Sequence, residues 1–168
     1  VSGNVKISGS ASVSGNCFCS DNASVSGNAS IFGYAEVYGN TKVRDNAIIS
    51  GHSKIYEYAR IYGNAQLFGY IEVNNKAEIY DKANVFGESK VSGNAKVSGN
   101  AKVFDKAKIS GNAKVFDKAE VYGNAEIFRK VEVYGNAEVS GNAKVFDKAK
   151  IRGNVKIGAY AEVSGYSE

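Results

Sequence analysis

The side chains best suited to acid–base or nucleophilic chemistry are a single histidine, His52, and two cysteines, Cys17 and Cys19. An imidazole at His52 could act as a general base towards a hydroxyl or an amine. The cysteines stand in the order C-F-C, far from the histidine, so a redox or metal site would lack further ligands. We therefore expect no metal and no cofactor, and we interpret both cysteines as small inward-facing hydrophobic residues.

A six-residue repeat runs through the whole sequence without a single insertion. The 168 residues divide into 28 hexads, in which the first position is Val, Ile or Leu in 27 and the fifth is Ala in 19. These two positions are two residues apart along the chain, so in an extended strand both side chains point to one face, while the mostly charged sixth position between them points outward. The third position is Gly in 18 hexads and Asp in six, residues that tolerate the backbone of a tight corner.

The repeat predicts an all-β chain of short strands and corners rather than helices. A period of 3.6 is absent, and so many glycines in one phase would destabilise a helix by about 1 kcal/mol each. Proline is absent, as expected where nearly every backbone N–H enters a ladder. The sequence is 43% hydrophobic and 23% charged, without 18 consecutive apolar residues, so we expect neither a disordered chain nor a membrane partner. A net charge of +4 is too small to indicate nucleic acid as a partner.

The hexads resemble the hexapeptide repeat of left-handed β-helix proteins, and in particular an uncharacterised branch with a GNA-x-V pattern, often labelled as transferases. The positions that match are the aliphatic residues Val97, Val103 and Ile109 and the small residues Ala101, Ala107 and Ala113. The glycine stands one position later than is usual in the family. The resemblance implies a left-handed, three-sided β-solenoid with about nine coils, each made of three hexads. Residues 1–168 would form one such domain, and the start at Val1 suggests a segment of a longer chain.

Charge patterning tests the coil length independently. At an offset of three hexads, charged sixth positions are opposite in sign in 13 cases and alike in four, whereas at two hexads the balance is eight to seven. An offset of four hexads gives 12 to two, so the pattern leaves a four-hexad coil open. Lysines at 90, 96, 102, 108 and 114 form a basic band, and glutamates at 120, 126, 132 and 138 form an acidic one, both interpreted as solvated surface.

The aromatic side chains are predicted to lie outside the core, because none of the 19 occupies a first or fifth position. With three hexads per coil, one ladder of rings would stack along a corner, and two tyrosines would flank His52 on the same corner. The candidate binding residues are Phe68, Phe86, Phe104, Tyr122, Tyr34 and Tyr70. Such a stripe could be a contact surface for another subunit or a glycan, or the rings could simply cover one another.

The resemblance offers His52 as a weak catalytic candidate, because hexapeptide-repeat acyltransferases use a histidine as general base. His52 stands at a fourth position, where asparagine is usual, and a solvated corner residue is the alternative interpretation. The sequence leads us to favour a non-catalytic structural or interaction rod that self-associates side by side or end to end, and not an enzyme. An acyltransferase-like protein and a glycan-binding or adhesive surface are the alternatives.

Overall fold

The third position of every hexad turns the chain. In a computed structural model, which describes residues 2–165, all 18 glycines at this position have a positive φ. The ten other residues at this position, mostly aspartates, have φ between 54° and 67°. A left-handed residue every six positions limits each strand to a few residues, so the chain alternates between strand and corner as predicted.

Twenty-seven strands follow one another along the described part of the chain. Three of them extend into the corner and have four residues, and the others have two. In chain order they are β1 (Lys6–Ile7), β2 (Ser12–Val13), β3 (Phe18–Cys19), β4 (Ser24–Val25), β5 (Ser30–Ile31), β6 (Glu36–Val37), β7 (Lys42–Val43), β8 (Ile48–Gly51), β9 (Lys54–Ile55), β10 (Arg60–Ile61), β11 (Gln66–Gly69), β12 (Glu72–Val73), β13 (Glu78–Ile79), β14 (Asn84–Gly87), β15 (Lys90–Val91), β16 (Lys96–Val97), β17 (Lys102–Val103), β18 (Lys108–Ile109), β19 (Lys114–Val115), β20 (Glu120–Val121), β21 (Glu126–Ile127), β22 (Glu132–Val133), β23 (Glu138–Val139), β24 (Lys144–Val145), β25 (Lys150–Ile151), β26 (Lys156–Ile157) and β27 (Glu162–Val163).

Every third strand belongs to the same parallel sheet, so the chain winds around three faces. The first sheet begins with β1, the second with β2 and the third with β3, and each contains nine strands. Residues that pair stand three hexads apart, as in Glu72 with Lys90 and Val73 with Val91. The predicted all-β solenoid with about nine coils of three hexads is therefore confirmed, and coils of two or four hexads are excluded.

The core is a thin aliphatic column inside the three sheets. First-position side chains such as Val103 and Ile109, and fifth-position side chains such as Ala107 and Ala113, are 0% exposed. No aromatic ring is buried among residues 2–165, because the interior between three closely spaced sheets accepts only small and branched side chains. Rings occupy the outward-facing positions instead.

Polar side chains at the corners join each coil to the next. An Asp at the third position accepts a hydrogen bond from the backbone N–H of the glycine one coil later, as Asp21 does from Gly39 at 2.9 Å. Asparagines at the fourth position bond to one another, with Asn28 donating to Asn46 at 3.0 Å. These bonds repeat at an offset of one coil and hold neighbouring coils in register.

The predicted charged bands wrap around the rod instead of marking one face. Lysines at 102, 108 and 114 lie on three different sheets, one in each. Their ammonium groups bond to Glu120, Glu126 and Glu132 on the next coil at 2.8 to 2.9 Å. Each exposed pair contributes about 0–1 kcal/mol, so these ladders select the three-hexad register more than they stabilise it.

Candidate functional site

Rings line the corner that follows the strands of the second sheet. They lie in two rows, at the second and fourth positions of every third hexad and hence on successive coils, and we call this surface the aromatic edge. Its members are Phe32, Tyr34, His52, Phe68, Tyr70, Phe86, Phe104 and Tyr122. Phe68 is 43% exposed and Tyr70 is 63% exposed, although both are large side chains with apolar rings. A surface with several exposed aromatic rings of this kind is typical of an interaction site.

Four rings of the aromatic edge form the ladder that the sequence predicts. The ring centroids of Phe68 and Phe86 are 5.3 Å apart, those of Phe86 and Phe104 are 4.9 Å apart, and those of Phe104 and Tyr122 are 4.7 Å apart. The planes deviate from parallel by 9° or less, because parallel strands repeat each side chain with the same orientation. The rings thus cover one another's faces and leave their edges exposed.

His52 lies between two tyrosines, also as predicted. Its imidazole is stacked on Tyr34 at 4.9 Å and on Tyr70 at 4.8 Å, within 4° of parallel in both cases. The side chain is exposed to solvent, and its backbone N–H donates to the carbonyl of Gly69 at 2.8 Å. The structure therefore presents an accessible imidazole whose plane is fixed by its two neighbours.

The corner beneath His52 departs from the regular geometry. Ile71 occupies a fifth position where most hexads have alanine, and it is buried. The φ of Gly69 is 114°, whereas the other positive-φ glycines lie between 65° and 80°. Ser53 is also buried, and its hydroxyl donates to the carbonyl of Ser50 at 2.7 Å. Strands β8, β11 and β14 continue into this corner, which orders the backbone below the aromatic edge.

The two cysteines face inward, as predicted. Cys19 is completely buried, and Cys17 is partly buried against the core. Burial raises the pKa of both thiols, which keeps them protonated and unreactive near neutral pH. Within residues 2–165, no group of three or more His, Cys, Asp or Glu side chains is arranged to hold a metal ion.

The sequence interpretation missed shorter ring ladders on the other two corners. The stacked pairs are Tyr62–Tyr80, Phe116–Tyr134, Tyr38–Tyr56 and Phe128–Phe146. Comparing second positions one coil apart on all three corners would have found them. Tyr62 also donates to Glu78 at 3.0 Å, and burial together with this bond raises the pKa of its phenol to about 12.

A small polar network adjoins one of these ladders. The hydroxyl of Tyr56 donates to Glu72 at 2.6 Å, and Lys90 forms an ion pair with the same carboxylate at 2.8 Å. Lys90 and Tyr56 lower the pKa of Glu72, and the bond to Glu72 raises the pKa of the Tyr56 phenol. The carboxylate is therefore ionised and the phenol protonated near neutral pH, an arrangement that stabilises the coil contact but leaves no free base.

We compared the chain with protein-family models, curated proteins and solved structures. No protein-family model and no curated protein matches the sequence. A solved structure of a UDP-N-acetylglucosamine acyltransferase from Francisella novicida matches with a TM-score of 0.43 at 17% identity. The match covers 93% of this chain, which spans 63% of the length of that acyltransferase. Among the described residues, no helix is long and apolar enough to cross a membrane.

The expectation that this chain is not an enzyme is corrected by that comparison. The solved structure that this chain matches over most of its length is an acyltransferase. The expectation had rested on the repeat pattern, and a fold pattern does not report on activity.

Proposed function

We propose that the aromatic edge joins copies of this chain side by side. The observation that carries the proposal is the ladder of rings, partly or fully exposed, which spans successive coils along one corner of the rod. A second copy laid along this corner would remove the ring edges of Phe68 and the phenol rings of Tyr34 and Tyr70 from water. Burying apolar surface contributes about 25 cal/mol per Å², so a contact several coils long would stabilise a dimer.

The orientation of the rings favours a protein partner over a glycan. Sugars bind aromatic residues by lying flat on an open ring face. In the ladder from Phe68 to Tyr122, each inner ring is covered on both faces by its neighbours at 4.7 to 5.3 Å. Phe86 and Phe104 therefore expose only their ring edges, and a ridge of ring edges packs well against a complementary apolar surface.

Replacing three rings of the ladder is expected to prevent this association. The variant F68S/F86S/F104S should sediment at a lower mass than the wild type at equal micromolar concentration. The matched control is F128S/F146S, which removes a stacked pair on a different corner, with centroids 5.2 Å apart. Multi-angle light scattering or sedimentation equilibrium measures the mass. A wild-type protein that is monomeric at these concentrations, or equal masses for both variants, would contradict the proposal.

A second candidate function is acyl transfer with His52 as the general base, and the position of His52 on the same edge favours it. Side-by-side association would bring the exposed imidazole into a groove between copies. There His52 would take the proton of an acceptor hydroxyl or amine while the acceptor attacks the thioester carbonyl of an acyl-CoA. The carbon–sulfur bond would break, and the departing CoA thiolate would take the proton from His52.

Acyl transfer is expected to depend on the imidazole itself. With acetyl-CoA and a panel of amine and hydroxyl acceptors, H52N should lower the rate of CoA release by about 10²–10⁴-fold, the usual contribution of a general base. Y58F is the control, because this exposed phenol lies on another corner. Mass spectrometry of the acylated acceptor measures the product. Equal rates for wild type and H52N would exclude this role, whether or not the chain self-associates.

A further inference from the structure

The ring ladder on the corner after the first sheet has one gap. Tyr62 and Tyr80 are stacked at 4.9 Å, and two coils further Phe116 and Tyr134 are stacked at the same distance. Ser98 occupies the position between them. It is only 8% exposed, whereas Tyr80 and Phe116 on either side are partly exposed. A short side chain therefore forms the floor of a slot with an aromatic wall at each end.

The slot has the dimensions of one more ring. Tyr80 and Phe116 are two coils apart, which is about 10 Å at the usual strand spacing. A ring placed midway would lie about 5 Å from each wall, the spacing found within the ladders themselves. A cavity of about 380 Å³ is open there, lined by Tyr80, Lys96, Ser98, Lys114 and Phe116.

The charges beside the slot select the ligand further. Lys96 and Lys114 pair on adjacent strands, and this is one of the few strand pairings that bring two like charges together. Lys114 forms an ion pair with Glu132 at 2.8 Å, whereas Lys96 reaches Glu78 at only 3.7 Å and shares that carboxylate with Arg60, also at 3.7 Å. No acidic side chain lines the cavity. A negative group in the cavity would therefore accept a charge-assisted hydrogen bond from Lys96, the lysine with the weaker partner, and would lie beside the positive charge of Lys114.

The aromatic edge contains a second gap, which resembles the slot over Ser98 but has no lysines beside it. Ser50 stands between Phe32 and Phe68 in the same way, at the equivalent position of the second sheet. The residues that correspond to the two lysines are Ile48 and Gln66, which pair with each other. This second gap offers ring faces without a positive charge, and it provides a matched control.

We propose that the slot over Ser98 binds a planar aromatic ring that carries a negative charge. The ring lies between Tyr80 and Phe116, where it continues the interrupted ladder, and its anionic group lies beside Lys96 and Lys114. This site is on a different corner from the aromatic edge, so it does not depend on self-association or on His52.

The test uses 2-naphthoate as the probe and 2-naphthalenemethanol as its neutral analogue, with isothermal titration calorimetry on the whole chain. We expect naphthoate to bind at least about tenfold more tightly, since a charge-assisted bond contributes about 1.5–3 kcal/mol. S98F fills the slot with a ring of the protein and should abolish binding, whereas S50F fills the other gap and should leave it unchanged. K96Q/K114Q should bring the affinity for naphthoate down to that for the alcohol.

Several outcomes would overturn the proposal. These are no binding of naphthoate, equal affinity for the charged and neutral probes, or unchanged binding by S98F. A change of oligomeric mass in S98F without loss of probe binding would assign the slot to a protein contact instead. If S98F fails to fold by circular dichroism, K96Q/K114Q decides the question, because its exposed substitutions leave the core intact.

Discussion

Replacing Ala107 by phenylalanine is expected to lower the free energy of unfolding by about 3 kcal/mol or more, the upper range for overpacking a core. Ala107 is 0% exposed, and the positions above and below it in the stack hold Ser89 and Ala125, both also 0% exposed. The interior is bounded by three sheets of parallel strands, so a ring cannot move aside without separating the coils. Thermal or urea denaturation followed by circular dichroism measures the change.

The matched control for this prediction is a valine substitution. Val131 occupies a fifth position next to the first sheet and is completely buried, so the interior accepts a branched side chain there. Ala113 is its neighbour one coil earlier, and A113V should therefore cost much less than A113F. Equal stability of the phenylalanine variants and the wild type would show that the fifth position does not face the core.

Replacing Gly69 by alanine is the second large effect that we expect, of about 3 kcal/mol, since backbone strain of this kind costs about 1–3 kcal/mol before any steric contact is counted. A Cβ at this position would lie 2.5 Å from the carbonyl oxygen of Gly87 on the next coil. The φ of 114° also lies well outside the range of 54° to 67° that other residues adopt at this corner position.

Gly33→Ala is the matched control on the same corner. Gly33 has an ordinary corner φ of 80°, and the atom nearest to a Cβ there would be the backbone nitrogen of Gly51 at 3.1 Å. Its substitution should cost less than that of Gly69, about 1–2 kcal/mol, the penalty for a left-handed residue. Chemical denaturation of both variants measures the difference. Equal losses for the two glycines would contradict the close packing of coils at the aromatic edge.

The sequence alone predicted the architecture because every hexad repeats the same local solution. Val103 and Ala107 mark the inward face, as the structure confirms. Charge pairs such as Glu72 and Lys90 disfavoured a two-hexad coil, while the choice of three hexads over four came from the family resemblance. The stacking of His52 between two tyrosines was predicted because the three residues stand three hexads apart from one another along the chain. Regular repetition makes each contact predictable from one coil.

What the sequence did not predict depends on departures from the repeat. The irregular corner contains one large fifth-position residue, Ile71, and the φ of Gly69 beside it has no signal in the hexad pattern. The slot at Ser98 appears only when the two ring pairs on its corner are known to align across it. The expectation of a non-enzyme was wrong because a fold pattern does not report on catalysis.

The distance between two spin labels along one sheet tests the winding of the solenoid most directly. Cysteines would replace Lys6 and Lys150, which lie on the first sheet eight coils apart, in a background with Cys17→Ala and Cys19→Val. Double electron–electron resonance should give a separation of about 38 Å between the labelled backbone sites, eight times the usual strand spacing. A separation of about 58 Å, as for two-hexad coils, or about 29 Å, as for four-hexad coils, would contradict the three-sided solenoid and with it the alignment of the aromatic edge.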